Sequence, residues 1–371
     1  MGVNMPVTLY FPESGKHSLD IAAYPINSLN ERDESSSKEL AIGLLNNMGD
    51  GALEATERQF ISLLNAAAED FHIRLSLYHF PEVPRRKSAK RHLDRRYHSV
   101  ESLWNSKLDG LIVTGREPVA PSLRDEPYWD SFVQVHEWAR ENTFATIWSC
   151  LAAHAAVLHM DGIERQRSRH KHYGIFECVQ VSEHPVLKHI SASFRLPHSR
   201  WNGLPEAELT QCGYQVLTRA VDAGVDCFVK QDSSLFVYFQ GHPEYEADTL
   251  LFEYRRDVIR YLNGESAAYP SVPGGYFDRE TRRNLLRVQH EAASRPHRET
   301  LALASSIASS VGKVNGWGIT ASTFYRNWLE HMYTQKSARE QRANAAAASC
   351  VSTLPEPFPN MQREMIGGSL E

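Results

Sequence analysis

The sequence has few cysteines and no apolar run long enough to cross a membrane. Its five cysteines, Cys150, Cys178, Cys212, Cys227 and Cys350, include no CxxC pair. This spacing argues against a disulfide framework and against a zinc site, so we expect free thiols and no bound metal. The longest apolar runs have the length of a strand, which argues against a transmembrane helix and a membrane partner.

The excess of one kind of charge over the other is also small. The 371 residues carry a net charge of −5, with 40 basic and 45 acidic side chains. This balance argues against a nucleic-acid partner, and we interpret the basic run at 84–96, PRRKSAKRHLDRR, as a solvated loop. No glycine-rich loop has the Gly-Lys-Ser/Thr ending of a P-loop. The opening MGVNMPVTLY lacks the basic-then-apolar pattern of a signal peptide, so we expect a cytoplasmic protein.

Apolar strands alternate with helical patterns from about residue 38 onward. The segments ELAIGLLN, LDGLIVTG and TFATIWS are apolar and are each followed by a helical pattern. Strands of this kind form a parallel sheet that is covered by helices on both faces. We therefore predict an α/β fold with a mostly parallel sheet over residues 38–335, preceded by an irregular segment at 1–37.

The character of the sequence changes after residue 264. A Pro/Gly connection, GESAAYPSVPGGYFD, precedes a segment of mixed polarity at about 278–312, which we interpret as a helical insertion. ASTFYRNWLEHMYTQ follows as the last amphipathic helix of a C-terminal helical extension. Residues 336–371 are predicted to be a flexible tail that buries little surface.

One cysteine lies at the junction between a predicted strand and a predicted helix, a common position for functional residues. In TFATIWSCLAAHAAVLH, Cys150 ends an apolar strand and an alanine-rich helix begins at Leu151. Ligands of α/β sheets bind beyond the carboxyl ends of strands, and the free N–H groups of a helix start favour a thiolate. The Leu151 amide could also donate to an oxyanion. A buried structural cysteine is the alternative and, for a free thiol after a strand, the more common case.

A later strand supplies the partners that a nucleophilic cysteine needs. FQGHPEYE places His242 and Glu244 two positions apart after an apolar strand. Residues i and i+2 of an extended stretch face the same side, so the carboxylate could orient the imidazole. Together with Cys150, the pair predicts a Cys-His-Glu triad for nucleophilic catalysis. Taken alone, His-Pro-Glu is also compatible with an ordinary turn.

Eight motifs resemble the homoserine O-acyltransferases, specifically the homoserine O-succinyltransferase family. They occur in order between about residues 40 and 332: TERQFISLLN, LDGLIVTG, YW, SCLAAHAA, KHYGIFE, LPHSRW, GHPEYEADTLLFEYRRD and TFYRNWL. PHSR and GHPEY…EYRRD are the most specific of them. The resemblance implies a class I glutamine-amidotransferase-like (flavodoxin-like) fold, a role in methionine biosynthesis and a homodimer.

The resemblance also implies a two-step mechanism. Cys150 would take the acyl group from an acyl-CoA as a thioester, His242 would be the general base, and Glu244 would orient it. The hydroxyl of homoserine would then attack the thioester. Acyl-CoA and homoserine are thus the expected small-molecule substrates, and no bound cofactor is expected. The phosphates of coenzyme A are then a further alternative partner for the basic run at 84–96.

Three further residues match substrate-binding positions of the family. Lys171 and Ser199 correspond to active-site positions, and Arg256 corresponds to the arginine that holds the substrate carboxylate, a task suited to a guanidinium fork. For Lys171, a solvated charge in RSRHKHY is the alternative. The RHKHY stretch itself has no partner at metal-ligand spacing, so we expect no metal there.

The chain departs from the family at the loop that selects the donor. Members usually carry Thr-Gly-Ala-Pro-Val/Leu-x, whereas this chain has TGREPV at 114–119. At the last position, Glu accompanies acetyl-CoA and Gly accompanies succinyl-CoA in the family; Val119 is neither, and Glu117 lies close by. Since Val119 does not repel a second carboxylate, we expect succinyl-CoA as donor.

Other departures leave the activity open to alternatives. The lysine pair that precedes the Thr-Glu-x-Gln motif in the family is missing from MGDGALEATERQ, and the usual Trp after the cysteine is Leu151. The alternatives are an O-acetyltransferase, a serine O-acyltransferase, and a glutaminase-like or non-catalytic relative of the same fold.

Overall fold

The computed structural model describes residues 6–12, 38–292, 297–309 and 316–352. The strands in this part of the chain are β1 (Val7–Tyr10), β2 (Lys38–Leu45), β3 (Phe71–His79), β4 (Tyr97–Ser99), β5 (Gly110–Thr114), β6 (Ala145–Ser149), β7 (Gln166–Gln180), β8 (Ser193–Gly203), β9 (Gln215–Ala220), β10 (Gly224–Gln231) and β11 (Leu235–Phe239). The α-helices are α1 (Leu53–Ala68), α2 (Lys87–Arg96), α3 (Trp129–Asn142), α4 (Leu151–Asp161), α5 (Glu206–Gln211), α6 (Thr249–Leu262), α7 (Arg279–Glu291), α8 (His297–Ser309) and α9 (Gly318–Ser352).

All the strands belong to one sheet. Its order is β1-β3-β2-β5-β6-β11-β10-β9-β7-β8, and β4 pairs with β3. Six of the ten pairings are parallel and four are antiparallel, so the predicted mostly parallel sheet is confirmed. The central strands β5, β6 and β11 are buried at every residue, as expected for parallel strands with both faces covered.

Helices pack on both faces of the sheet, as predicted. One core contains Phe60 of α1, Tyr254 of α6 and Trp328 of α9. The other contains Phe132 of α3 and Val157 of α4. Each such side chain contributes roughly 1.5–3 kcal/mol when it is fully removed from water. This two-sided burial holds the strand ends, and the loops that follow them, at fixed positions.

Two segments at the beginning of the chain differ from the sequence-based interpretation. Within the segment predicted to be irregular, Val7–Tyr10 forms β1, which pairs in parallel with β3; residues 13–37 lie outside the described residues. The basic run at 84–96 is largely the helix α2 rather than a loop. Leu93 anchors it in the core, and its Arg96 pairs with Glu57, so part of its charge is neutralised within the protein.

The C-terminal part also contains more helix than expected. The predicted helical insertion at about 278–312 contains α7 and α8. Helix α9 continues to Ser352, well beyond the predicted start of a tail at residue 336. Alanine has the highest helix propensity, and the alanine-rich stretch after Arg342 extends the helix without needing a core contact. Residues 353–371 of the predicted tail lie outside the described residues.

Among the helices of the described ranges, none combines the length and the apolar composition that a membrane span requires.

Candidate active site

Three neighbouring parallel strands end at the same level of the sheet. Thr114, Ser149 and Phe239, the last residues of β5, β6 and β11, are register partners. The residues that follow them therefore meet at one edge, where α/β sheets bind ligands. Cys150 follows β6, and His242 follows β11 by three residues. This edge is the candidate active site.

Cys150 lies in a strained turn between β6 and α4. Its φ of +52° and ψ of −112° fall outside the regions that residues with a side chain normally occupy. Such a conformation costs roughly 1–3 kcal/mol and persists only where the surroundings enforce it. The Cys150 N–H donates to the carbonyl of Phe239 at 2.7 Å, and this bond ties the turn to β11. The turn leaves the thiol half-buried at the site edge.

Gly115 lies directly against the start of α4. A Cβ atom at residue 115 would lie 2.5 Å from Cβ of Leu151, 2.7 Å from its amide nitrogen and 2.8 Å from that of Ala152. Amides in the first turn of a helix have no acceptor within the helix. Gly115 therefore lets this loop pack directly against the two amides, and a side chain at this position would clash with them. The predicted oxyanion donor, Leu151, is joined here by Ala152.

His242 and Glu244 form a buried pair, but not in the extended backbone that the sequence predicts. They meet within a tight turn in which the Tyr245 N–H donates to the His242 carbonyl at 3.2 Å. Nδ1 of His242 lies 2.8 Å from Oε1 of Glu244. The His242 N–H also donates to the Pro197 carbonyl at 2.9 Å, which ties the turn to β8. The carboxylate thus fixes the imidazole orientation.

The charge on His242 is coupled to Cys150. Burial opposes protonation, but the Cys150 thiolate and the Glu244 carboxylate outweigh it and raise the pKa of His242 well above its ordinary value. The effect of the Cys150 charge on the imidazole means that the two groups lie close together. The thiol, the imidazole and the carboxylate therefore interact as one group at this edge of the sheet. This arrangement can activate a thiol and transfer a proton.

Tyr245 is a contact of His242 that the sequence did not single out. Its ring stacks on the imidazole, with centroids 4.2 Å apart and an interplanar angle of 20°. Its hydroxyl donates to Glu253 of α6 at 2.9 Å, and its carbonyl accepts from Nε1 of Trp317 at 2.7 Å. Burial raises the pKa of Tyr245, and so do the nearby carboxylates of Glu253 and Glu244. The residue thus links the imidazole to α6.

Lys171 and Arg256 are brought together by Asp257. Nζ of Lys171 lies 3.1 Å from Oδ2 of Asp257, and Nε of Arg256 lies 2.9 Å from Oδ1. The Lys171 ammonium also lies 4.1 Å above the Tyr173 ring. Its side chain is mostly buried, so the solvated-charge alternative does not describe it. The Arg256 side chain is 45 % exposed and can reach a bound molecule.

Ser199 lies on β8 beside this group. It is the register partner of Tyr173, the residue whose ring carries the Lys171 ammonium. Its neighbour Arg200 is buried and donates to the carbonyls of Asn202 and Ala223 at 2.7 and 2.6 Å. Burial lowers the pKa of Arg200, and the charges of Asp226 and, to a smaller extent, Cys150 act in the opposite direction. Arg200 is therefore a buried positive charge that the sequence did not indicate, and Asp226 is its largest electrostatic partner.

The two donor-loop residues have different environments. Glu117 forms a two-point ion pair with Arg260 of α6, at 3.3 and 3.0 Å. The Val119 side chain is exposed, and its N–H donates to the buried carboxylate of Glu126 at 2.7 Å. The loop is therefore held by Glu126 and Arg260, two residues that the sequence analysis missed. Tyr245 and Asp257 were missed as well, although both lie inside the GHPEY…EYRRD block.

Comparison with known proteins identifies the family. The family profile described as homoserine O-succinyltransferase matches residues 22–339. A homoserine O-succinyltransferase of Rhodopseudomonas palustris is 45 % identical over 297 residues, covering 80 % of this chain and 89 % of the relative. That of Methylorubrum extorquens is 44 % identical over 299 residues, covering 80 % and 88 %.

Solved structures were also compared. A glutamine amidotransferase from Methylobacillus flagellatus aligns with a TM-score of 0.43 and 16 % identity, covering 80 % of this chain and 96 % of that one. Another from Thermotoga maritima aligns with a TM-score of 0.40 and 12 % identity, covering 79 % and 98 %. These likenesses are too low to carry an argument about the site. The family profile and the curated relatives confirm the resemblance predicted from the motifs: the chain belongs to the homoserine O-succinyltransferase family.

Proposed function

We propose that this chain transfers a succinyl group from succinyl-CoA to the hydroxyl of homoserine, in methionine biosynthesis, through a thioester on Cys150. The observation that carries the proposal is the connected Cys150–His242–Glu244 group at the carboxyl edge of the parallel sheet. Family membership supports the substrate class, and the geometry of the site supports the choice of residues.

In the first step, the Cys150 thiolate attacks the carbonyl carbon of the succinyl thioester. The new bond joins Sγ to that carbon, and the bond from the carbon to the coenzyme A sulfur breaks. Protonated His242 gives its proton to the departing sulfur, so coenzyme A leaves as a thiol. The raised pKa of His242 suits this role, because a protonated imidazole can give its proton to the departing sulfur.

In the second step, His242 is neutral and acts as the base. It takes the proton of the homoserine hydroxyl while the oxygen attacks the acyl-enzyme carbonyl. The carbon–sulfur bond to Cys150 then breaks, which returns the thiolate and the protonated imidazole. Glu244 stabilises the imidazolium that forms in each cycle. In both steps, the amides of Leu151 and Ala152 in the first turn of α4, next to Gly115, stabilise the oxyanion.

The group formed by Lys171, Arg256 and Asp257 suits an amino-acid acceptor. Arg256 can bind the acceptor carboxylate through its guanidinium fork, and Lys171 adds a second positive charge. Asp257 contacts both side chains and is their positioning residue. Ser199 lies opposite Tyr173 in the same sheet and supplies a hydroxyl for orienting the acceptor.

The donor loop supports a succinyl group over an acetyl group. An unpaired carboxylate in the loop would repel the free carboxylate of a succinyl group. Glu117, the acidic residue of the loop, is instead paired with Arg260. Val119, at the position that the resemblance assigns to donor choice, is uncharged. The loop therefore presents no unpaired negative charge from either residue.

Steady-state kinetics of the purified full chain test this proposal. Coenzyme A release is measured with succinyl-CoA or acetyl-CoA, and with homoserine or serine as acceptor. We expect the highest kcat/KM for succinyl-CoA with homoserine. A clear preference for acetyl-CoA or for serine would overturn the proposed substrates. Ammonia release from glutamine without any coenzyme A release would favour the glutaminase-like alternative, and no turnover at all would favour the non-catalytic one.

We also propose a cytoplasmic homodimer. Cys150, Cys178, Cys212 and Cys227 are free thiols, which suits a reducing compartment. Light scattering on the purified chain tests the dimer; a mass of one chain at working concentration would contradict it.

A further inference from the structure

A cluster of two histidines and one glutamate lies at the far end of the nucleophile helix. His136 and Glu137 belong to α3, and His159 lies near the carboxyl end of α4. One nitrogen of each histidine and one oxygen of Glu137 lie within 4.8 Å of one another. His159 is nine residues along α4 from Cys150, about 13 Å at the usual helix rise. The cluster is therefore separate from the catalytic group.

His136 is a buried imidazole without a hydrogen-bond partner. Its ring lies between Trp148 and Phe236, with centroid distances of 5.1 and 5.0 Å. Among the described residues, neither ring nitrogen has a hydrogen-bond partner, and the side chain is inaccessible to solvent. Burying a polar group in this way costs free energy unless something binds it. Its Nδ1 lies 3.5 Å from Oε1 of Glu137, at the edge of the cluster.

The Glu137 carboxylate lies at metal-ligand spacing from both histidines. Oε1 of Glu137 lies 2.7 Å from Nε2 of His159 and 3.5 Å from Nδ1 of His136. Ligands at zinc–ligand bond lengths in a tetrahedron lie about 3.3 Å apart, between these two distances. The nitrogens of His136 and His159 lie within 4.8 Å of each other, so the two rings would close by up to about 1.5 Å around one ion.

Solvent access and the local charge both suit a cation at this cluster. Glu137 and His159 are partly exposed, so solvent reaches the cluster from one side. Arg140 contacts Oε2 of Glu137 at 3.2 Å, which leaves Oε1 for the ion. The carbonyl end of α4 also favours a cation. Two imidazoles and one carboxylate select zinc-class ions over magnesium or calcium.

We propose that His136, Glu137 and His159 bind a divalent transition-metal ion of the zinc class, which ties α3 to α4. The fourth coordination position would face solvent and hold water. Cysteine and histidine spacing in the sequence predicts no metal here, because the ligands come from two different helices that are separated by β6.

Zinc and cobalt binding to the purified full chain tests the proposal. The Cys150→Ala variant serves as the parent, so that metal on the nucleophile is not counted. After removal of metals with a chelator, we expect one tightly bound Zn²⁺ per chain by dialysis and elemental analysis. Co²⁺ should give the visible absorption bands of a site with nitrogen and oxygen ligands. Zn²⁺ should also raise the melting temperature.

His159→Gln and Glu137→Gln, made in this parent, should each weaken Zn²⁺ binding by more than about tenfold, since loss of even an outer-shell partner costs this much. His92→Gln is the matched control, because His92 also pairs with a glutamate, Glu57, at 2.7 Å but lacks a second histidine. It should leave binding unchanged. A parent that binds no Zn²⁺, or equal loss of binding in His92→Gln and His159→Gln, would overturn the proposal.

Discussion

Glu244 accepts a hydrogen bond from Nδ1 of His242 at 2.8 Å, inside a turn that both residues enter from the end of β11. Both side chains are buried, so the carboxylate acts on the imidazole without screening by water. The opposite nitrogen takes no part in this bond and remains available to the thiol. This orientation makes the histidine a proton carrier between the thiol and the substrates.

Replacing Glu244 with Gln should lower the pKa of His242, because the carboxylate helps to hold the proton on the imidazole. We expect kcat to fall by about 10²-fold to 10⁴-fold, since the imidazolium loses its counter-charge. NMR titration of the His242 ring in wild type and variant measures the pKa. An unchanged pKa with unchanged kcat would show that Glu244 has no part in catalysis.

The same pKa shift predicts how stability depends on pH. The folded-state pKa of His242 lies above the unfolded value of about 6.5. A raised pKa gives a stabilising contribution that is complete below the unfolded pKa and is lost as the pH rises through the folded pKa. Denaturant unfolding of wild type and of His242→Gln across this window measures the contribution. The difference in unfolding free energy should shrink as the pH rises; a difference that grows would contradict it.

Asp257→Asn should raise the KM for the acceptor by about tenfold, equivalent to 1.4 kcal/mol of binding, with a smaller effect on kcat. The reason is that Lys171 and Arg256 lose their shared counter-charge. Asp161→Asn is a matched control, since Asp161 forms a comparable pair with Lys230 at 2.8 Å near the carboxyl end of α4. If both variants change KM equally, Asp257 has only a structural role.

Gly115→Ala should lower kcat by about 10²-fold, because the new methyl group would crowd the amides of Leu151 and Ala152. Gly49→Ala is the control, because a Cβ built there meets no described residue within 4 Å apart from its chain neighbours. Circular dichroism and melting temperatures separate a local effect from misfolding. A folded Gly115→Ala variant with full activity would argue against these amides as oxyanion donors.

The sequence predicts the parallel half of the fold better than the rest. Strands such as LDGLIVTG are mostly apolar, and this pattern is typical of a parallel strand that is buried on both faces. Strands β7 to β10 pair antiparallel, and their burial is mixed, so the pattern is weaker. The length of α9 was missed because a polar, alanine-rich stretch resembles a linker in composition, although its helix propensity is high.

In the candidate site, too, the sequence predicts residues that belong to a recognisable local pattern and misses those that only packing brings together. Cys150, His242 and Glu244 are visible in the sequence because each follows a recognisable strand. Asp257 was hidden within a charged helix, and its role depends on Lys171, 86 residues earlier in the chain. Such pairs are created by packing, which no local pattern reports.

The central claim is that Cys150 carries the acyl group, and intact-protein mass spectrometry tests it most directly. The chain is mixed with succinyl-CoA without acceptor and is then digested to locate the adduct. We predict a mass gain of one succinyl group on the peptide that contains Cys150, its absence in Cys150→Ala, and its loss when homoserine is added. Coenzyme A release with no adduct, or an adduct that persists in Cys150→Ala, would contradict the account.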